Sequence, residues 1–189
     1  MKIGYIGASG LMGHGMAKNL LAKGQQVSIT VHKNRERVKD LLDMGATLEN
    51  SVSDLGASCD VVMICVTGTP QVEAVVTGPN GLLAHAKAGL VIVDCSTSEP
   101  ASTTHLRELA HAQGVTFVDA PLARSAVEAE AGRLNIMVGA TPEMFAKLEP
   151  ILKCCAENVF HVGSPGAGHG IKLLNNFIGQ AICAATAEA

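Results

Sequence analysis

Three stretches of this sequence carry residue types whose spacing could do chemistry. The first is Gly7-Ala8-Ser9-Gly10-Leu11-Met12-Gly13. It follows a short apolar run and opens a helical pattern, which is the context a phosphate-binding loop needs. Glycines there let the backbone turn sharply and approach a diphosphate. The amino end of the helix behind them offers unpaired N–H groups and a positive dipole end. The spacing, G-x-x-G-x-x-G, is one residue longer than the dinucleotide fingerprint, and a plain strand-to-helix turn is the competing reading. The second stretch is His32-Lys33-Asn34-Arg35, at the tip of the second strand, where a dinucleotide site holds the adenosine ribose. Binders of NAD place an acid there; here bases stand instead. Lys33 and Arg35 would suit a phosphate on the ribose 2′ position, Arg35 through a two-pronged contact. The sequence therefore predicts NADP(H) in preference to NAD(H), against the plainer reading of a solvated helix start. The third stretch holds Lys172, Asn175 and Asn176, which share a helix face at i, i+3 and i+4. A lysine beside amides in a semi-enclosed cleft can have its pKa lowered toward neutrality, which suits proton transfer. Taken alone, that helix fits a solvated lysine better.

These groups lie far apart along the chain, so a fold must gather them. Residues 2–6 read as a buried strand, 11–23 as a helix closed by Gly24, and 27–31 as a second strand. A helix over 34–44, stopped by Gly45, and a brief strand at Thr47-Leu48 follow. The apolar runs 60–66 and 90–94 carry the mark of central parallel strands covered on both faces. Further strands are expected at 115–119, 134–138 and 158–162, with helices near 100–113 and 142–153. Gly163 to Gly170 reads as a flexible lead into a last helix with Ile171, Leu174, Ile178 and Ile182 on an apolar face. The alternation specifies an α/β fold: a Rossmann-type doubly wound, mostly parallel sheet followed by the start of a long interdomain helix. Chemistry is then expected beyond the carboxyl ends of the strands, after residues 6, 31, 65, 94, 119 and 162.

Composition narrows the function classes. Apolar residues make up 48% and charged residues 16% of the 189, which favours a packed core over disorder. Net charge is −3 and aromatics are 3%, so neither the field nor the stacking surfaces of a nucleic-acid binder are present. Six cysteines include no C-x-x-C pair and read as reduced apolar fillers, with no metal site. No run is long enough for a signal peptide or a membrane span. The expectation is a cytoplasmic protein.

Four segments, in order, carry a resemblance: residues 6–20 (I-G-A-S-G-L-M-G-H-G-M-A-K-N-L), 93–100 (V-D-C-S-T-S-E-P), 119–139 (D-A-P-L-A-R-S-A-V-E-A-E-A-G-R-L-N-I-M-V-G) and 166–176 (G-A-G-H-G-I-K-L-L-N-N). Together they make the chain resemble the β-hydroxyacid dehydrogenase family, which includes 3-hydroxyisobutyrate dehydrogenase, tartronate semialdehyde reductase and 6-phosphogluconate dehydrogenase. The resemblance implies an NAD(P)-binding Rossmann-like domain over residues 1–163. Residues 164–189 would begin the helix leading to a helical domain absent from this chain. It further implies Lys172 as general acid/base and Asn176 as the residue orienting the substrate. The implied cofactor contacts fall on the glycine loop (Gly7, Ser9, Gly10, Leu11, Met12, Gly13), on Val66 and Thr67, and on Thr97. NADP or NAD would be the cofactor and a small carboxylate the substrate.

Three departures matter. Ala8-Ser9 stands where the family has one residue. The same loop also resembles that of extended short-chain dehydrogenases, but those need a Tyr and Lys four apart, and the single tyrosine, Tyr5, lies in the first strand. The family's Ser-Gly-Gly is replaced by Ala123-Arg124-Ser125, so a hydroxyl is lost and Arg124 is free either to clamp an anion or to point outward. Ser96, Arg124, Ser125 and Asn175 are the expected substrate contacts. Third, the chain ends in an apolar helix that needs cover from a further domain or a partner chain, such as another copy. The rival readings are a non-catalytic dinucleotide-binding module and an imine reductase, the latter disfavoured by Lys172. His169 is expected to be structural, and His14 to be an exposed residue at a helix start.

Overall fold

Strand runs 61–64 and 91–94 are buried at every residue, as strands covered on both faces must be. In the computed structural model, which describes residues 1–31 and 35–189, they form the centre of a sheet. The expected ribose contacts His32, Lys33 and Asn34 lie outside the described residues.

The strands are β1 (Lys2–Ile6), β2 (Gln26–Thr30), β3 (Thr47–Leu48), β4 (Val61–Ile64), β5 (Val91–Asp94), β6 (Thr116–Asp119), β7 (Leu122–Ala123), β8 (Leu134–Gly139) and β9 (Ala156–Gly163). The helices are α1 (Leu11–Ala22), α2 (Lys39–Asp43), α3 (Val52–Ser58), α4 (Thr69–Thr77), α5 (Pro100–His111), α6 (Ala126–Glu130), α7 (Pro142–Leu152) and α8 (Ala167–Glu188). The sheet order is β3-β2-β1-β4-β5-β6-β8-β7, with β9 added beside β8. Pairing is parallel from β3 to β6 and between β8 and β9, and antiparallel where β8 meets β6 and β7. This is the expected doubly wound, mostly parallel sheet.

Alternation along the strands builds two cores. Ile3, Tyr5, Val61, Met63, Val91 and Val93 face one layer, with Met16, Leu20, Leu41, Leu148 and Leu152. Ile6, Val62, Ile64 and Ile92 face the other, with Leu55, Val72, Val76, Leu82 and Leu106.

Several elements differ from expectation. The helix expected over 34–44 is a 3₁₀ turn at Arg35–Val38 followed by α2. Helix α3 has too few apolar residues to show periodicity; a capping box between Ser51 and Asp54 starts it instead. α4, β7 and α6 went unanticipated, the last two because two and five residues are too short to show a period. The supposed flexible lead at 163–170 is already helical from Ala167, with Gly168 and His169 buried.

Helix α1 grips α6 closely. A methyl on Gly15 would lie 2.5 Å from the Ala129 backbone carbon, and Asn19 Nδ2 donates to the carbonyls of Gly15, Ala129 and Glu130. His14 is not the exposed residue anticipated: its side chain is 23% exposed. Its ring lies 2.7 Å from Glu130 Oε1 and 3.0 Å from Asp40 Oδ2, and Lys18 Nζ is 3.0 Å from Glu130 Oε2. Burial opposes charge on the ring, but the two carboxylates outweigh it and raise its pKa. A raised folded-state pKa stabilises the fold fully below the unfolded value of about 6.5, and the contribution is lost as pH rises through the folded value. His14→Gln is therefore expected to lower stability at pH 6, by up to about 1 kcal/mol, and to have little effect through this contact at pH 9. Urea denaturation of both proteins at the two pH values checks this.

Candidate functional site

Two buried aspartates end adjacent strands, and Asp94 and Asp119 are paired in register. A carboxylate without water needs donors. Asp94 takes the Ser96 N–H at 2.9 Å and the Ser98 hydroxyl at 2.7 Å, which folds the turn after β5 back over the strand. Asp119 reaches the start of α8, accepting from Gly166 N at 2.7 Å and His169 N at 3.0 Å. These are among the N–H groups a helix start leaves unpaired, and the positive dipole end meets the negative charge. Gly168 permits the close seat, since a methyl there would lie 2.6 Å from the Met137 carbonyl oxygen and 2.8 Å from Asp119 Oδ2.

His169, as expected, is structural. It is fully buried, its Nε2 donates to the Ser96 carbonyl at 3.2 Å, and its Nδ1 meets Thr103 Oγ1 at 2.7 Å. With both nitrogens engaged it has no free position for a base. Arg107 Nη1 adds a bond to the Pro165 carbonyl at 2.8 Å.

One turn beyond His169 comes Lys172, which lines a cleft of about 210 Å³ together with Met12, Val66, Thr67, Ser96, Thr97 and Arg124. Partial burial lowers the Lys172 pKa from its ordinary value. The fold thus brings Met12 of the glycine loop, the turns after β4 and β5, Arg124 and the lysine to one place. Asn175 and Asn176 lie further along α8, exposed and outside this lining.

The glycine loop is built by close approach. Gly7 has φ +95°, and a methyl on it would lie 1.9 Å from the Cys65 carbonyl oxygen. A methyl on Gly13 would lie 2.2 Å from the Gly7 oxygen. Gly10 N donates to the Gly7 carbonyl at 2.9 Å, and Gly10 caps α1 without a side-chain bond. The first-turn N–H groups of α1 therefore stay available. Leu11 is 80% exposed. Arg35 is exposed, and Arg37 Nη1 reaches the Ser9 carbonyl at 3.5 Å.

Hydroxyls expected to meet substrate are partly spent elsewhere. Ser96 Oγ accepts from Val66 N at 3.0 Å, joining the turns after β4 and β5. Ser125 caps α6 and donates to Glu128 Oε2 at 2.6 Å. Arg124 adopts φ +81°, a left-handed conformation that costs a non-glycine residue about 1 kcal/mol or more. It carries a long cationic side chain on a backbone shape that favours glycine.

All six cysteines are free. Burial pushes the Cys65 thiol up to about 12 and the Cys95 thiol well above its usual range, so the two thiols in the cleft wall are neutral and weak nucleophiles. Among the described residues, no three His, Cys, Asp or Glu come together to hold a metal, and no helix is long and apolar enough to cross a membrane.

The family described as the NAD binding domain of 6-phosphogluconate dehydrogenase matches residues 2–163. The chain belongs to that family. It is 38% identical over its whole length to 2-(hydroxymethyl)glutarate dehydrogenase of Eubacterium barkeri, covering 62% of that protein. To 3-hydroxyisobutyrate dehydrogenase of Pseudomonas aeruginosa it is 35% identical, over 99% of the chain and 62% of the relative. The solved structure of Mycobacterium tuberculosis 3-hydroxyisobutyrate dehydrogenase with L-serine superposes with a TM-score of 0.85 at 26% identity, covering 94% of this chain and 59% of that one. The chain thus spans about three fifths of the length of the curated relatives it matches.

A dinucleotide fits this member of the family. The α1 start, capped by no side chain, suits a diphosphate, and the glycines of the Gly7–Gly13 loop let the backbone fold tightly beneath it. No acidic side chain lines the cleft among the described residues. Sequence reasoning assigned no role to Asp94 or Asp119, although each is an acid closing an apolar run, and that was the available signal. Asp119→Asn turns a two-acceptor group into one that carries its own N–H donors and removes the charge facing α8. The expected loss is about 2 kcal/mol in denaturant unfolding, with faster hydrogen exchange at Gly166 and His169.

Proposed function

We propose that this chain is the dinucleotide-binding part of an NAD(P)-dependent dehydrogenase of small hydroxy acids, with Lys172 moving the substrate hydroxyl proton. Residues 1–163 would form the cofactor domain and 164–189 the start of the helix to the remainder. The observation that carries the reading is the half-buried Lys172 in one cleft with the glycine loop and Thr97, its pKa lowered by desolvation. The names of the relatives, for 3-hydroxyisobutyrate and 2-(hydroxymethyl)glutarate, support the substrate class.

Gly7, Ser9, Gly10, Met12 and Gly13 would hold the diphosphate, and Val66, Thr67 and Thr97 the nicotinamide half. When bound, the nicotinamide supplies or accepts the hydride. The chain's own part is the proton. In oxidation the neutral amine of Lys172 takes it from the substrate hydroxyl, and in reduction the ammonium returns it to the carbonyl oxygen. Arg124, or the Ser96–Ser98 turn, would hold the substrate's acid group, and Asn176 would orient its hydroxyl. Exposed Arg35 supports NADP(H) over NAD(H).

The test uses the full-length protein with NADP⁺ or NAD⁺ and a panel of small hydroxy acids, following nicotinamide absorbance. Lys172→Ala is expected to lower kcat by about 10²-fold or more while the dinucleotide Kd stays unchanged. Oxidation should quicken as pH rises through a lysine pKa below the ordinary value, and reduction should slow over the same range. Full activity in the alanine variant would remove Lys172 from the reaction. Arg35→Ala should weaken NADP⁺ more than NAD⁺, as read by titration.

A further inference from the structure

Arg124 stands on a ridge. On one side it lines the cleft, where Lys172 is the other charged side chain among the described lining residues. On the other it borders a wider, open hollow of about 510 Å³ with Ser125, Glu128 and Arg133. Arg124 Nη1 donates to the Arg133 carbonyl at 2.5 Å and to the carboxylate of Glu157, on β9. Both contacts use the same nitrogen, whereas a guanidinium carries five N–H donors in a planar fork. Glu157 is 52% exposed, and its hydrogen bond with Arg124 holds its carboxyl below the usual range. An ion pair that open is weak and screened by salt, so it exchanges easily for another anion. Arg124 itself holds a positive φ, a conformation that favours glycine.

We propose that Glu157 is a resident competitor for Arg124: the acid group of the substrate displaces it, and the Arg124–Glu157 pair sets substrate affinity. This rests on the hydroxy-acid reading above and deepens it, because it selects Arg124 over the Ser96–Ser98 turn as the acid-group anchor and adds a positioning residue, Glu157. Arg124 leaves Glu157 and binds the acid group instead, through paired, charge-assisted hydrogen bonds. Lys172 is left to the hydroxyl. Rising salt weakens the resident pair and the substrate contact alike.

Two measurements on the full-length protein test this. In steady-state kinetics with saturating cofactor and 3-hydroxyisobutyrate, Glu157→Gln is expected to lower KM about two- to fivefold with kcat unchanged. Arg124→Gln should raise KM about tenfold or more. The double variant should match Arg124→Gln, since the competitor matters only through the arginine. Separately, in spectra of ¹⁵N-arginine-labelled protein, titration with malonate should shift the Arg124 side-chain signal, and at lower concentration in Glu157→Gln. A KM that stays level or rises in Glu157→Gln overturns the proposal, as does an Arg124 signal that malonate leaves in place. If no hydroxy acid turns over but malonate shifts the signal as described, the dehydrogenase reading fails and the exchange of anions at Arg124 stands.

Discussion

The carboxylate of Asp119 is the joint on which the rest of the site depends. It ends a central strand, has no access to water, and takes its two donors from the first turn of α8. A buried charge left alone would be costly. Here the unpaired N–H groups and the dipole of the incoming helix satisfy it, and the helix in turn gains an acceptor it cannot make for itself. Because Asp119, with the His169 and Arg107 contacts beside it, ties the start of α8 to the sheet and to α5, the direction in which α8 leaves the sheet is set within its first turn. Lys172 follows six residues after the capping glycine Gly166, so this seat carries it to the cleft it lines.

Asp94 performs the matching task one strand away. By holding Ser96 N and Ser98 Oγ it shapes the turn that presents Thr97, and Ser96 then passes the order on to Val66. His169 closes the arrangement between the two aspartates, with its ring nitrogens on Ser96 and Thr103. The polar groups beneath the cleft thus form a connected set: among the described residues, no buried side-chain nitrogen or oxygen lacks a partner. That is what a rigid site requires.

Much of this was legible in the residues. Runs 60–66 and 90–94 announced central strands because burial on both faces leaves no polar alternation to read. The glycine loop was legible because its context, strand then helix, is local. Contacts between distant residues were not. His14 shows no sign in sequence that Asp40 and Glu130, 26 and 116 residues later, will close around it. Ser125 looked like a ligand for substrate because a hydroxyl in a loop has many uses, yet the nearest one, capping α6 with Glu128, is a local pattern that could have been recognised. The lead into α8 reads as flexible because glycine in sequence signals freedom. At Gly168 the glycine serves the opposite end: it lets a helix press against a strand.

The crossing of α1 and α6 has a mechanical consequence. At Gly15 the two backbones approach too closely to admit a methyl group, and Asn19 clamps the far end of α6 through two of its carbonyls. The helix that begins at the glycine loop therefore grips the short element that follows Arg124. With the backbones in contact there, α6 cannot shift toward α1, so the start of the helix behind the glycine loop and the segment after Arg124 are held at a fixed spacing.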